Sequence, residues 1–144
     1  MTTIAASRLH GEMAADTQVN FGSSTFPSKK IYSFGGRLAG AAGTSIDCSL
    51  FMQWVAGGLD PEARPEMEDG DEFQALVLSH DGLFFFEADC CPVRIERDFH
   101  AIGTGGDAAL AAFFCGKTPR RAVEIAAKID SGTGGPVTVL KLEG

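Results

Sequence analysis

Apolar residues recur along the chain at two periods, and each change of period marks an element. Thr2 to Leu9 and Glu12 to Asp16 read as short extended stretches on either side of a turn at Gly11. Thr17 to Pro27 is rich in Gly, Ser, Thr and Asn and reads as loop. Lys30 to Phe34 and Arg37 to Ala42 flank Gly35-Gly36, which predicts a hairpin. The period then changes. Ile46, Leu50 and Val55, with Phe51 and Trp54, recur at helical spacing over Ser45 to Val55. Thr44 or Ser45 can cap the start, and Gly57-Gly58 ends the helix. Phe73 to Ser79 and Leu83 to Ala88 form a second predicted hairpin about His80-Asp81-Gly82. Val93 to Ile95 and His100 to Ile102 are brief strands. Asp107 to Phe114 is an alanine-rich helix ending at Gly116, and Thr118-Pro119 opens another that runs to Ile129, with proline at its first position. Val137 to Leu142 alternates and closes the chain as a strand. Antiparallel hairpins with helices grouped between them predict an α+β layered fold, not a doubly wound one.

Composition narrows the function classes. The chain has 144 residues, 44% of them hydrophobic, and reads as a single domain over residues 1–144 with a core of its own. A net charge of −7 and a pI near 4.8 argue against nucleic acid or an anionic membrane as partner. No apolar run approaches the roughly 18 residues that span a bilayer. Met1 to Gly11 lacks the basic start and apolar core of a signal peptide, so a cytoplasmic location is expected. Leu59 to Glu72 holds Pro61, Pro65 and seven acidic residues, and reads as a solvated connector. Cys48, Cys90, Cys91 and Cys115 form no C-x-x-C pair and read as thiols. His10, His80 and His100 are scattered, so neither a metal nor another cofactor is expected.

The chain starts Met1-Thr2, and a methionine before a small residue is normally trimmed. Its removal would leave Thr2 with a hydroxyl nucleophile and an α-amine base on one framework. The unperturbed α-amine pKa, roughly 7.7–8.0, suits that work. Other residues carry chemistry less plainly. Asp16 alone reads as a turn residue, Lys30 as a surface lysine beside Lys29, and Gly40 to Gly43 as a strand-to-helix turn. Gly103-Thr104-Gly105-Gly106 reads as a helix-initiating loop, and Gly132 to Gly135 as a plain turn.

Taken in order, these segments are similar to a known family. Thr2-Thr3-Ile4, Ala14-Ala15-Asp16, Lys29-Lys30-Ile31 and Ala39 to Gly43 come first, with Asp47 on the helix that follows. Ala101 to Gly106 then precedes an alanine-rich helix, and Asp130-Ser131-Gly132-Thr133-Gly134-Gly135 follows the last one. Together they resemble the proteasome-type N-terminal nucleophile hydrolases, nearest the bacterial HslV peptidase and, more distantly, proteasome β-subunits. The resemblance implies a four-layer αββα sandwich of two antiparallel sheets. Here its first helical layer is reduced, because one helix and the acidic connector stand where the family has two long helices. It implies a threonine-type endopeptidase in which Thr2 attacks and forms an acyl-enzyme, with Asp16 and Lys30 as its ion pair. The Ala42 backbone N–H matches the oxyanion hole, and Gly40 the pocket for the substrate side chain. Thr104, Asp130 and Thr133 match the residues that orient the terminus and position water, with threonine in place of serine at positions 104 and 133. Implied partners are a peptide or unfolded-protein substrate, further copies in a homo-oligomeric ring, and an ATP-dependent unfoldase. Two other functions fit the same resemblance: a catalytically silent assembly subunit, and a hydrolase of small amides.

Overall fold

A computed structural model describes residues 2–143. It is an α+β arrangement of antiparallel sheets and three helices. The strands are β1 (Thr3–Ser7), β2 (Glu12–Ala15), β3 (Gln18–Phe21), β4 (Ser24–Pro27), β5 (Ile31–Phe34), β6 (Arg37–Ala42), β7 (Gln74–Ser79), β8 (Gly82–Phe86), β9 (Val93–Arg94), β10 (Phe99–Gly103) and β11 (Thr138–Lys141). The helices are α1 (Ser45–Ala56), α2 (Gly106–Phe114) and α3 (Pro119–Ile129). One sheet has the order β10-β1-β2-β11, and the other β5-β6-β7-β8-β9. Among the described residues no helix is long and apolar enough to cross a membrane.

Three apolar clusters hold these elements together. Ile4, Ala6, Met13 and Ile102 of the first sheet meet Ile31, Leu38, Leu76, Leu78 and Leu83 of the second. The other face of the first sheet presents Ala5, Ala14 and Ala101 to Ala109, Ala112, Ala122, Val123 and Ala126 of α2 and α3. The other face of the second sheet packs Ala39, Ala75, Val77 and Phe86 against Phe51, Trp54 and Val55 of α1. Alternation along β1 therefore buries both faces, and every residue from Thr3 to Ser7 is inaccessible.

Thr17 to Pro27, expected as loop, is instead a two-stranded hairpin of β3 and β4 with Val19 opposite Phe26. Most of its residues are exposed, so no apolar period announces it. The signal present was Gly22-Ser23 between the strands, a two-residue turn with Gly22 at φ 61°. The connector holds two short 3-10 turns, Pro61–Ala63 and Gly70–Glu72, and no second long helix follows α1. The connector is anchored nonetheless. Trp54 Nε1 donates to the Asp60 carbonyl at 2.8 Å, and Asp47 accepts from the backbone N–H groups of Glu68 and Asp69 at 2.8 and 3.0 Å.

Register delivers the chain start to one place. β1 pairs Thr3 with Gly103 on one side and Ile4 with Ala15 on the other. Thr2 therefore leaves the sheet between the β10–α2 loop and the residue after β2, which is Asp16. The space there is tight. A side chain on Gly103, held at φ 93°, would collide with the Thr2 carbonyl, and one on Gly105 with the Thr3 hydroxyl.

Candidate active site

Met1 lies outside the described residues, and the site is built from Thr2 onward. Thr2 is 9% exposed. Its hydroxyl accepts from Lys30 Nζ at 3.3 Å, and the same ammonium donates to Asp16 Oδ1 at 3.0 Å. Lys30 arrives from the residue before β5, on the opposite sheet, so the pair forms only when the sheets stack. Asp16 is fully buried and has further partners: Thr3 N–H reaches Oδ1 at 3.0 Å and Gly134 N–H reaches Oδ2 at 3.1 Å. A buried carboxylate with a cation and two N–H donors is compensated. Asp16 also ties three segments together at Thr2: the start of β1, the end of β2 and the loop before β11.

Two hydroxyl relays converge on Asp130. Thr2 N–H donates to Thr104 Oγ1 at 3.3 Å, and Thr104 donates to Asp130 Oδ2 at 2.6 Å. Thr133 also donates to Oδ2 at 2.7 Å, which leaves Thr3 Oγ1, 2.7 Å away, to donate to Thr133. Gly132 N–H adds a bond to Oδ1 at 3.3 Å. These donors, the Thr104 hydroxyl first, hold the Asp130 carboxyl below the usual aspartate range, with Thr133 next and Gly132 supporting. Asp130 itself caps the C-terminal end of α3.

A cavity of about 500 Å³ opens beside Thr2. Its walls come from β3 (Gln18, Val19, Asn20), the segment before and within β5 (Ser28 to Lys30, Tyr32), the β6–α1 turn and α1. The helix contributes Ser45, Cys48, Ser49 and Met52 at i, i+3, i+4 and i+7, a stripe beside its buried Phe51, Trp54 and Val55, with Cys48 and Met52 on the shared edge. Burial pushes the Cys48 thiol up to about 11, with Asp47 adding to the effect, so it is protonated near neutral pH. Among the described residues no group of three or more His, Cys, Asp or Glu is arranged to hold a metal ion.

Six of the eight residues read from the sequence meet here: Thr2, Asp16, Lys30, Thr104, Asp130 and Thr133. Gly40 does not. It faces the space between the sheets, where an added methyl would stand 2.8 Å from Ile31 Cγ2 and 3.0 Å from Ile4. Its role is to let the sheets approach, and strand alternation gives the cavity wall to Ala41 and Gly43. Ala42, read for its backbone N–H, has its side chain in the core between the sheets, and the residues of that turn lining the cavity are Ala41, Gly43 and Thr44. The sequence reading missed Thr3, whose N–H and hydroxyl serve Asp16 and Thr133, and Gly134, whose N–H serves Asp16. Thr3 sat in plain view inside Thr2-Thr3-Ile4, but an interior strand threonine carries no period of its own.

No protein-family model matches the sequence, and no curated protein does. Solved structures do match. The chain superposes on Thiobacillus denitrificans BPH, a bacterial proteasome homologue, in complex with epoxomicin. That match has a TM-score of 0.73 at 20% identity and covers 99% of this chain and 100% of the other. Another structure of the same BPH gives 0.69 at 22% identity, covering 99% and 98%. Eukaryotic HslV from Trypanosoma brucei gives 0.72 at 22% identity, covering 97% and 99%. Over nearly its whole length the chain therefore has the fold of the bacterial proteasome homologue and of HslV.

Proposed function

We propose that the protein is a threonine-type endopeptidase, a single four-layer αββα domain that acts through Thr2 after Met1 is removed. One observation carries the reading: a single ammonium, Lys30 Nζ, touches both the Thr2 hydroxyl and a buried carboxylate, while the Thr2 nitrogen is tied through Thr104 to a second carboxylate. In the trimmed chain the α-amine takes the hydroxyl proton as Oγ1 attacks the peptide carbonyl. The Lys30 charge lowers the cost of negative charge on that oxygen and disfavours protonation of the adjacent amine. Thr104, fixed by Asp130, holds the amine in place. Collapse of the tetrahedral intermediate breaks the C–N bond, returns the proton to the leaving amine, and leaves an ester on Thr2 that water hydrolyses. The β6–α1 turn supplies the oxyanion donor, with Gly43 rather than Ala42 on the cavity wall. The cavity receives the side chain of the residue being cleaved after. The reading extends to a ring of identical copies fed with unfolded chain, by an ATP-dependent unfoldase in the cell, a state that light scattering of the purified protein checks.

The test uses untagged protein and intact-mass spectrometry. Loss of Met1 and a stoichiometric adduct with epoxomicin are expected, because an epoxyketone needs a hydroxyl and an amine on adjacent carbons. Thr2→Ala abolishes the adduct and lowers peptide hydrolysis by at least about 10³-fold. Retained Met1 with neither adduct nor hydrolysis overturns the proposal.

A further inference from the structure

The cavity beside Thr2 is charged against the trend of the chain. The chain carries −7, yet the described residues lining this cavity include two lysines and no carboxylate. Lys30 is engaged by Asp16 and Thr2. Lys29 takes part in none of the ion pairs among the described residues. Its ammonium lies 4.9 Å from the centroid of the Tyr32 ring. The Tyr32 hydroxyl in turn donates to the Lys29 carbonyl at 3.1 Å, so ring and cation form one braced wall. The remaining walls suit a polar guest. Ser28, Ser45 and Ser49 bring hydroxyls, Gln18 and Asn20 bring amides, and no bulky side chain at Ala41 or Gly43 fills the space.

We propose that this cavity selects an acidic side chain, glutamate or aspartate, on the residue whose carbonyl Thr2 attacks, with Lys29 as the specificity-determining residue. The inference rests on the reading of Thr2 as nucleophile. A carboxylate entering the cavity finds a cation that has no carboxylate of its own to leave, and hydroxyls that can donate to it. An arginine or lysine side chain meets two like charges at close range. A purely apolar side chain offers the serine hydroxyls and the Lys29 ammonium no polar partner. The selection is electrostatic, so it weakens as salt screens it.

The experiment measures kcat/KM of the untagged protein on three fluorogenic peptides that differ only in glutamate, leucine or arginine before the scissile bond, with epoxomicin labelling of Thr2 run in parallel. Glutamate is expected to exceed leucine by about tenfold and arginine to be slowest, with the preference shrinking several-fold in 0.5 M salt. Lys29→Ala lowers the glutamate-to-leucine ratio by about tenfold, and Lys29→Glu turns the preference toward arginine. Lys29 is exposed at the cavity rim, and circular dichroism checks that both variants fold. Labelling of Thr2 together with a preference for leucine, or a ratio unmoved by Lys29→Ala, overturns the selectivity and leaves the nucleophile intact. Absence of both labelling and cleavage overturns the nucleophile reading and the selectivity with it.

Discussion

Asp16 and Asp47 are both completely buried, and each collects two backbone N–H groups from distant segments, yet they sit in regions doing different things. Asp16 lies between the start of β1 and the loop before β11, and it also holds a lysine that reaches Thr2. Asp47 lies in the first turn of α1 and has only N–H donors and its Thr44 cap, with no cation paired to it among the described residues. Burial is the same, so burial does not separate chemistry from scaffolding. The partner does. A carboxylate bonded to N–H groups fixes a loop, whereas one that holds a cation over a hydroxyl also sets the field at that hydroxyl.

The same contrast runs through the helical layers. Above the first sheet, alanines on both sides let α2 and α3 lie close to the strands. Above the second sheet there is one helix, and Phe51 packs against Trp54, Phe73 and Phe86 with centroids 5.2 to 5.8 Å apart. Large rings fill a layer that has one helix, and Asp47 pulls the acidic connector down beside them.

Four experiments break or sharpen this comparison. The largest effect is expected at Asp16. Asp16→Asn leaves Lys30 charged without its counterion, so peptide hydrolysis falls by at least about 100-fold and stability by about 3–5 kcal/mol. Kinetics and chemical denaturation read the two losses separately, and unchanged hydrolysis would put Asp16 in the same class as Asp47. Next comes Thr104→Ala, which cuts the relay from the Thr2 nitrogen to Asp130. Hydrolysis should fall by about tenfold, with Thr104→Ser restoring most of it. A serine variant as slow as the alanine one would show that the hydroxyl is not what matters.

At Asp47 the expected effect is on the connector. The N–H groups of Glu68 and Asp69, Glu68 first, hold its carboxyl below the ordinary value of 3.8. Because the folded-state pKa is depressed, its stabilising contribution is complete above that ordinary value and is lost as pH falls through the lower folded one. Limited proteolysis of the 59–72 segment should therefore quicken below about pH 4 in the native chain. Asp47→Asn should be cut faster already at pH 7, while hydrolysis stays within about twofold. Equal cutting of both proteins at pH 7 would remove the anchor. The smallest effect is chemical. With its thiol pushed up to about 11, Cys48 should alkylate with iodoacetamide at pH 8 more slowly than exposed Cys91 and Cys115. Mass mapping that finds Cys48 modified first would mean a wetter cavity wall than the fold provides.

Much of the fold was legible because its signals are local. The Gly35-Gly36 and His80-Asp81-Gly82 turns, the Thr44 and Thr118 caps, and Pro119 at the first position of α3 each act over four residues or fewer. The β3–β4 hairpin escaped because a small exposed ribbon buries neither face and so has no period to read. Gly40 misled for a related reason. A glycine in a strand announces close approach but not from which side, and only the stacked sheets show that Ile4 and Ile31 are what approach.

By itself the sequence determined the order of the elements other than the β3–β4 hairpin, the helix ends, and a nucleophile candidate with the residue types able to serve it, because propensity, capping and residue chemistry are written position by position. The tertiary structure decided which of those residues meet. Asp16 is brought to Thr2 by the register of β2 on β1, Lys30 by the stacking of the two sheets, and Thr104, Thr133 and Asp130 by the register of β1 on β10 and the end of α3. Contacts across more than a hundred residues depend on how layers pack, and no local pattern encodes that. The α1 stripe and Lys29 gained meaning in the same way, as the walls of a cavity that exists only once the chain is folded.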